Sequence, residues 1–153
     1  MTTRILIFED DDSARHMFSV FLRAKGYEVL DFPTPATCTL ISDKNCQCPR
    51  SHACADMIIT DMNMPGMSGL ELVRYQMERG CRIPTRNKAV ISAALAPEDE
   101  REFHALGCRC LRKPFKLNAL LAWVQSVEAD IPPERMLTPL PELLQTVPDR
   151  MAQ

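Results

Sequence analysis

Long apolar runs, an excess of charge of one sign and an export signal are all missing from this 153-residue sequence. No stretch approaches the roughly 20 apolar residues of a membrane span, so we expect no membrane insertion. The 18 Lys and Arg residues nearly balance the 20 Asp and Glu residues, whereas a dedicated nucleic-acid binder normally carries a basic face. The first apolar run, Ile5–Phe8, is too short for a signal peptide. We therefore expect a cytoplasmic protein with no direct DNA binding.

The cysteine count is odd, at seven, and no export signal accompanies it, so we expect thiols in a reducing compartment. The hydrophobic fraction of 46% and the charged fraction of 25% are average for a globular protein. A chain of this length buries roughly two-thirds of its unfolded surface and needs no disulfides to fold. The length fits one domain.

Short apolar runs alternate with helical patterns along the chain. The predicted strands are Arg4–Phe8, Glu28–Phe32, Met57–Thr60, Ala89–Ser92 and Cys110–Arg112. These runs do not alternate strictly with polar residues, which is typical of strands buried on both faces of a parallel sheet. Five βα units in series predict a doubly wound α/β fold, flavodoxin-like, with strand order 2-1-3-4-5.

The helices are predicted from apolar spacing and from their end signals. The first repeats Ala14, Met17, Phe18, Phe21 and Leu22 before Gly26; the others are Pro35–Ile41, Ser68–Arg79 with Leu70, Leu72, Val73 and Met77 inside, Pro97 to Gly107, and Leu117–Ala129. Asp11 and Asp12 are assigned to the cap and first turn of the first helix. We expect no role for His16 or His104.

Polar side chains follow the strands at the edge where parallel strands end. Glu9–Asp12 follow the first strand, Asp61 follows the third, and Ser92 and Lys113 follow the fourth and fifth. Converging carboxylates repel one another unless a cation neutralises them, and hard oxygen ligands suit Mg²⁺. Acids, a hydroxyl and a lysine around one metal are the groups that phosphoryl transfer needs.

Four motifs then point to a family. They are Ile5–Asp11 (ILIFEDD), Ile58–Leu72 (IITDMNMPGMSGLEL), Ala89–Ala93 (AVISA) and Lys113–Phe115 (KPF). In this order and spacing they resemble the receiver domain of two-component response regulators over residues 3 to about 128. We expect a receiver domain over 1–129 with a Cys-rich insertion at about 42–55, and a Pro-rich tail over 130–153. The chain looks like a stand-alone, chemotaxis-regulator-like receiver.

The resemblance implies that Asp61 takes a phosphoryl group from the phosphohistidine of a sensor histidine kinase or a phosphotransfer protein. It also implies that Asp10 and Asp61 hold Mg²⁺ directly, that Glu9 acts through water and that Asn63 offers its backbone carbonyl. Mn²⁺ is expected to substitute for Mg²⁺. Such a domain is a signalling switch rather than a turnover enzyme.

Ser92 and Lys113 would bind the phosphoryl oxygens, and Ala93 leaves room for the phosphate. A cis peptide is usual before the residue equivalent to Pro114. The resemblance further implies that phosphorylation draws Ser92 inward and remodels the face made by the helix from Pro97 and the fifth strand, for a downstream protein to read. The sequence identifies neither that protein nor the kinase, and it leaves the phosphoryl lifetime and the oligomeric state open.

Cys110 departs from the family, which usually has Tyr or Phe three residues before the lysine, here Lys113. That aromatic side chain turns inward on activation. Phosphorylation chemistry does not need it, but the usual aromatic switch cannot operate here. We therefore expect output through another surface.

A second departure is the insertion, where Cys46, Cys48, His52 and Cys54 are four residues of the types that bind Zn²⁺. Their spacing matches no common zinc finger. In the predicted topology, three more cysteines lie at the same end of the sheet, opposite to Asp61: Cys81, Cys108 and Cys110. A metal site, a thiol-redox site and ordinary buried thiols are all open interpretations.

Two other function classes fit the sequence less well. A small Mg²⁺-dependent phosphatase with an aspartyl nucleophile needs an acid two residues later, where this chain has Asn63, and a cap domain. A redox or metal module that only borrows the receiver scaffold would not need Asp61, Ser92 and Lys113.

The tail contains apolar residues that either dock on the body or a partner, or belong to a loosely ordered segment. They are Met136, Leu137, Leu140, Leu143, Leu144 and Val147.

Overall fold

The computed structural model describes residues 2–35 and 52–141. Five parallel strands in these ranges form one sheet in the order β2-β1-β3-β4-β5, which confirms the predicted topology. The strands are β1 (Arg4–Phe8), β2 (Glu28–Phe32), β3 (Met57–Asp61), β4 (Lys88–Ser92) and β5 (Arg109–Arg112). Each boundary lies within one residue of the prediction.

The helices of the described ranges are α1 (Asp12–Ala24), α2 (Gly69–Glu78), α3 (Pro97–Leu106) and α4 (Leu117–Ala129), with a short 3₁₀ turn at Thr85–Asn87. The helix predicted at Pro35–Ile41 lies, after its first residue, outside the described residues. No helix in the described ranges is both long and apolar enough to cross a membrane.

Strand β1 shows why the apolar runs do not alternate with polar residues. Ile5 and Ile7 pack with α1 and α4, whereas Leu6 and Phe8 pack on the other face of the sheet beside Leu72 of α2. All four β1 side chains are at most 1% exposed. Both faces of the sheet are therefore covered, as the continuous apolar pattern predicted.

The two helices that follow β1 and β3 in the described ranges, α1 and α2, are capped by side chains. Asp11 accepts a hydrogen bond from the backbone N–H of Ala14 at 3.0 Å, which confirms its predicted capping role. Ser68 caps α2 by accepting from the backbone N–H of Glu71, and the Glu71 carboxylate accepts in return from the backbone N–H of Ser68. These caps fix where the chain turns from strand to helix beside the site.

Two apolar side chains were predicted on the wrong face of their helices. Met17 of α1 is 48% exposed and Met77 of α2 is 49% exposed. Gln76 takes the buried position on α2, at 7% exposure, because its amide oxygen accepts a hydrogen bond from the Lys88 ammonium inside the protein. The buried hydrogen bond to Lys88 therefore places Gln76, and not Met77, on the inner face of α2. The spacing of apolar residues alone does not predict this orientation.

The segment after α4 packs against the residues that precede β3. Thr138 donates its backbone N–H to the carbonyl of Ala53 and its hydroxyl to the carbonyl of His52, at 2.9 and 3.0 Å. Leu137 is buried, whereas Met136 is 61% exposed. The described part of the tail thus docks on the body at the end of the sheet opposite to Asp61, while Leu143, Leu144 and Val147 lie outside the described residues.

Candidate functional site

Three carboxylates converge where β1 and β3 end. Glu9 and Asp10 follow β1 directly and Asp61 is the last residue of β3, and one oxygen of each lies within 4.8 Å of the others. Glu9 is 1% exposed and Asp61 is 7% exposed, whereas Asp10 is open to solvent. The predicted convergence of these acids at the carboxyl edge of the sheet is therefore present.

The ammonium of Lys113 is the positively charged group of the site. It follows β5, and its Nζ lies 3.3 Å from Oε2 of Glu9 and 3.7 Å from Oδ2 of Asp61. Its backbone N–H donates to the carbonyl of Ser92 at 2.9 Å, which ties the end of β5 to the end of β4. The Lys113–Pro114 peptide bond is cis, as the resemblance implied.

The environment favours the protonated forms of two of these acids. Burial, and then the charge of Asp61, raise the pKa of Glu9 to about 7, and the Lys113 ammonium only partly opposes this. Burial also raises the pKa of Asp61, against the opposing charge of Lys113. The two side chains share a hydrogen bond that raises the pKa of Glu9 and lowers that of Asp61. The lysine alone therefore does not stabilise the ionised forms of both acids.

The donor set fits a hard divalent cation. When all three carboxylates are ionised, the one ammonium leaves two negative charges for a cation to balance, and carboxylate oxygens are the ligands that Mg²⁺ prefers. The backbone N–H of Asn63 donates to the Asp61 carboxylate, so this residue lies beside the cluster with its side chain exposed. The exposure of Asp10 leaves the cluster open on one side to water and to a phosphate group.

The hydroxyl of Ser92 forms hydrogen bonds with the backbone of the loop that follows β4. Ser92 is the last residue of β4 and is 3% exposed. Its Oγ donates to the carbonyl of Ala94 at 2.6 Å and accepts from the backbone N–H of Ala94 at 3.2 Å. A change in the loop after β4 would release this hydroxyl for another acceptor.

Two residues that support the cluster were not singled out from the sequence. A Cβ on Gly69 would lie 2.6 Å from the backbone oxygen of Asp61, so only glycine lets α2 begin this close to the site. Arg15 donates to the backbone carbonyl of Glu9 at 2.9 Å and thereby holds the turn after β1. Gly69 belongs to a motif that the sequence analysis used, but Arg15 stands among ordinary helix-surface residues and gave no signal.

The predicted cysteine cluster lies partly outside the described residues. Cys46 and Cys48 lie outside the described residues, whereas Cys54 is half-buried just before β3 and His52 lies two residues earlier. Within residues 2–35 and 52–141, the acids Glu9, Asp10 and Asp61 form the one cluster of three or more such side chains close enough to share a metal. The zinc site stays a prediction.

The response regulator receiver domain family matches residues 5–125 of the chain. The chain belongs to this family. Receiver domains are the signalling switches of two-component systems: they bind Mg²⁺ through an acidic cluster and interact with histidine kinases or phosphotransfer proteins. The acidic cluster of this receiver domain occupies the strand ends described above.

Individual relatives agree with this assignment. A probable transcriptional regulatory protein of Picosynechococcus sp. is 32% identical over 124 residues, which cover 78% of this chain and 46% of the relative. The regulatory protein VanRB of Enterococcus faecalis is 29% identical over 129 residues, covering 83% of this chain and 53% of VanRB. The chain thus spans about half the length of these curated relatives.

A solved structure shows the same fold over the whole of its own length. The chemotaxis protein CheY4 of Vibrio cholerae is 30% identical and superimposes with a TM-score of 0.65, covering 83% of this receiver and 99% of CheY4.

Proposed function

We propose that this receiver accepts a phosphoryl group on Asp61, from the phosphohistidine of a sensor histidine kinase or a phosphotransfer protein. The observation that carries the proposal is the meeting of Glu9, Asp10 and Asp61 within 4.8 Å, with the Lys113 ammonium 3.7 Å from the Asp61 carboxylate. Nucleophile, metal ligands and phosphate-binding cation thus share one open crevice. Family membership supports the same reaction.

Asp61 acts as the nucleophile in this scheme. Its Oδ attacks the phosphorus, the P–N bond to the donor histidine breaks, and the electron pair leaves with the imidazole nitrogen. The N–H of Asn63 and the ammonium of Lys113 hold the Asp61 carboxylate in place. Lys113 then gains a phosphoryl oxygen as its partner, since its Nζ already lies beside the reacting carboxylate.

Mg²⁺ would be held by Asp10 and Asp61, with Glu9 acting through water and the Asn63 carbonyl completing the protein ligands. When bound, the ion supplies charge neutralisation for the phosphoryl oxygens. We expect Mn²⁺ to substitute, because it accepts the same oxygen ligands. Glu9 ionises more readily once a cation sits beside it, because a positive charge favours the carboxylate form.

Ser92 connects the chemistry to a change of shape. To donate to a phosphoryl oxygen, its hydroxyl must give up the carbonyl of Ala94, so the loop after β4 must move. Cys110 stands on β5 where the family usually has an aromatic switch, and it packs half-buried beside Val90 and Phe103. We propose that this loop movement, without an aromatic side chain, presents the signal to a downstream protein.

We also propose that the receiver works in the cytoplasm and that a separate protein recognises its phosphorylated state. Pull-down with the phosphorylated and the Asp61→Asn proteins would identify that partner through its preference for the former.

Intact mass after incubation with Mg²⁺ and a small phosphodonor such as acetyl phosphate tests the central proposal. We expect a single phosphoryl adduct that disappears in Asp61→Asn and when Mg²⁺ is chelated. Asp130→Asn, which changes an exposed acid at the end of α4, is the matched control and should keep the adduct. An adduct that survives Asp61→Asn, or no adduct on folded wild-type protein, would overturn the assignment.

A further inference from the structure

The acids and the ammonium of the site follow different strands. Glu9 and Asp10 follow β1, whereas Lys113 follows β5, and β3 and β4 lie between these two strands in the sheet. The Lys113 side chain reaches back across the carboxyl edge, so that its Nζ lies 3.3 Å from Oε2 of Glu9. Charge interactions depend on distance, so the contacts that fix these two loops also fix the electrostatics of the site.

Arg15 of α1 fixes the turn that carries the acids. Its Nη1 donates to the backbone carbonyl of Glu9 at 2.9 Å, and its Nη2 donates to Oδ1 of Asp12 at 2.6 Å. Oε1 of Glu9 accepts from the backbone N–H of Asp11 at 3.2 Å. Asp10 therefore lies between two residues that hydrogen bonds hold in place. The Arg15 side chain is only 18% exposed, so water competes little for its bonds.

Phe18 fixes the loop that carries Lys113. It lies three residues after Arg15, on the same side of α1, and its ring stacks on the ring of Phe115, with centroids 5.8 Å apart and planes 19° apart. Phe18 is 3% exposed and belongs to the apolar core, against which Phe115 packs. The neighbours of Phe115 in this loop, Pro114 and Lys116, are exposed. The stack thus anchors the loop two residues after the lysine.

We propose that Arg15 and Phe18 are positioning residues, through which α1 sets the distance between the Lys113 ammonium and the acids. This inference rests on the proposed phosphorylation of Asp61, because it concerns how the same crevice balances Mg²⁺ and a phosphoryl group. Arg15 acts through the turn after β1, and Phe18 acts through the ring of Phe115. Because both contacts come from one helix, a shift of α1 moves both loops.

Loosening the loop of Lys113 should favour the metal. In Phe115→Ala the stack is lost and the ammonium spends less time beside the acids, so we expect Mg²⁺ to bind about twofold more tightly. The rate of adduct formation at saturating Mg²⁺ should fall at least about threefold, because the phosphate-binding cation is misplaced. Phe115→Leu, which keeps an apolar side chain, should shift both quantities less and in the same directions. Phe21→Ala removes another half-buried ring of α1 from the same core and should change neither.

Loosening the turn after β1 should have the opposite effect on the metal. Arg15→Gln removes a positive charge beside this turn, and by charge alone this would tighten Mg²⁺ binding. We expect binding at least about threefold weaker instead, because the metal ligands are no longer held in place. Arg15→Lys keeps the charge but loses the two-pronged contact, so it should also bind Mg²⁺ more weakly. Arg23→Gln is the matched control, since Arg23 of α1 donates to the backbone carbonyl of Val29 at 3.0 Å, on a strand that carries none of the acids of the site.

Isothermal titration calorimetry of the full chain with Mg²⁺, without a phosphodonor, measures the affinities. Intact mass over time with acetyl phosphate measures the rate of adduct formation. A merely structural role would weaken Mg²⁺ binding in the Arg15 and Phe115 variants alike, so shifts in opposite directions distinguish positioning from loss of structure. If the wild-type protein forms no adduct, the proposed phosphorylation fails, whereas the calorimetric shifts still decide this inference.

Four results would overturn the proposal. The first is Mg²⁺ binding in Arg15→Gln and Arg15→Lys that is as tight as in the wild type or tighter. The second is wild-type or weaker binding in Phe115→Ala, or in Phe115→Leu where the alanine variant does not fold. The third is a shift of equal size in the Phe21→Ala or Arg23→Gln control, and the fourth is a folded wild-type chain that binds no Mg²⁺.

Discussion

Arg135 and Asp56 form a two-pronged ion pair across the end of the sheet. Nε of Arg135 lies 2.9 Å from Oδ1 of Asp56, and Nη2 lies 2.8 Å from Oδ2. Asp56 immediately precedes β3 and its side chain is 3% exposed, whereas Arg135 lies beyond the last helix. The segment after α4 is thus fastened to the sheet by a buried charge pair.

Removing the arginine should destabilise the protein strongly. Arg135→Met leaves the buried Asp56 carboxylate with the backbone N–H of Arg4 as its remaining hydrogen-bond donor among the described residues, so we expect a loss of roughly 3 kcal/mol in unfolding free energy. Urea unfolding measures this. Arg101→Met, at an exposed position of α3, is the control and should change stability little. Equal losses in the two variants would contradict the structural role.

Gly69 tests how closely α2 must approach the site. In Gly69→Ala the new Cβ would meet the Asp61 backbone oxygen at 2.6 Å, so α2 or the end of β3 must shift. We expect a loss of about 1–3 kcal/mol and a weaker phosphoryl adduct by intact mass. Ser68→Ala should cost about 1 kcal/mol through the lost cap but keep the adduct. A Gly69→Ala protein with the wild-type adduct yield would show that the close approach does not matter to the chemistry.

The sheet and the acidic edge could be predicted because their signals are local. Continuous apolar runs marked each strand, and parallel topology then required that Glu9 and Asp61 meet at one edge. Capping residues such as Asp11 and Ser68 marked where helices begin, because they satisfy backbone N–H groups only a few residues away. Local chemistry was sufficient for these features.

Long-range partners could not be predicted in this way. The predicted fourth strand begins at Ala89, whereas the observed strand begins at the buried Lys88, whose ammonium donates to Gln76, twelve residues earlier. Arg135 and Asp56 are 79 residues apart, with no local pattern to link them. The hydrogen bond from Ser92 to Ala94 depends on the conformation of the loop after β4, which the residue types permit but do not require.

Lys113 competes with a divalent cation for the same carboxylates. Its ammonium lies within 4 Å of both Glu9 and Asp61, so it repels an ion bound there. We expect Lys113→Met to bind Mg²⁺ roughly fivefold more tightly, since one nearby positive charge is worth about 1 kcal/mol at this partly exposed site. The same variant should give a lower yield of phosphoryl adduct, because a phosphate-binding cation is missing.

Isothermal titration calorimetry of Mg²⁺ binding checks the first effect and intact mass checks the second. Lys116→Met, which changes an exposed lysine three residues later, should leave both measurements at wild-type values. Weaker Mg²⁺ binding in Lys113→Met would mean that the lysine organises the metal ligands rather than competing for them.

The raised pKa of Glu9 predicts how stability depends on pH without divalent cations. The folded protein holds this carboxyl at a pKa of about 7 against an ordinary value of 4.5, so between these values the folded state binds more protons than the unfolded state. Stability should therefore fall as pH rises through this window, by up to about 3 kcal/mol. The raised pKa of Asp61 acts in the same direction. Urea unfolding in a chelating buffer, in steps from pH 4.5 to 7.5, measures the slope.

Substitution of Glu9 by glutamine separates the contribution of this carboxyl to the pH dependence of stability from the contributions of the other groups. Glu9→Gln should flatten the decline, because the amide does not ionise, whereas the exposed control Glu134→Gln should keep it. Added Mg²⁺ should stabilise the wild-type protein more at pH 7.5 than at pH 5.5, since metal binding requires ionised carboxylates. A wild-type stability that rises across the window, or a decline that survives Glu9→Gln unchanged, would show that this cluster does not control the pH response.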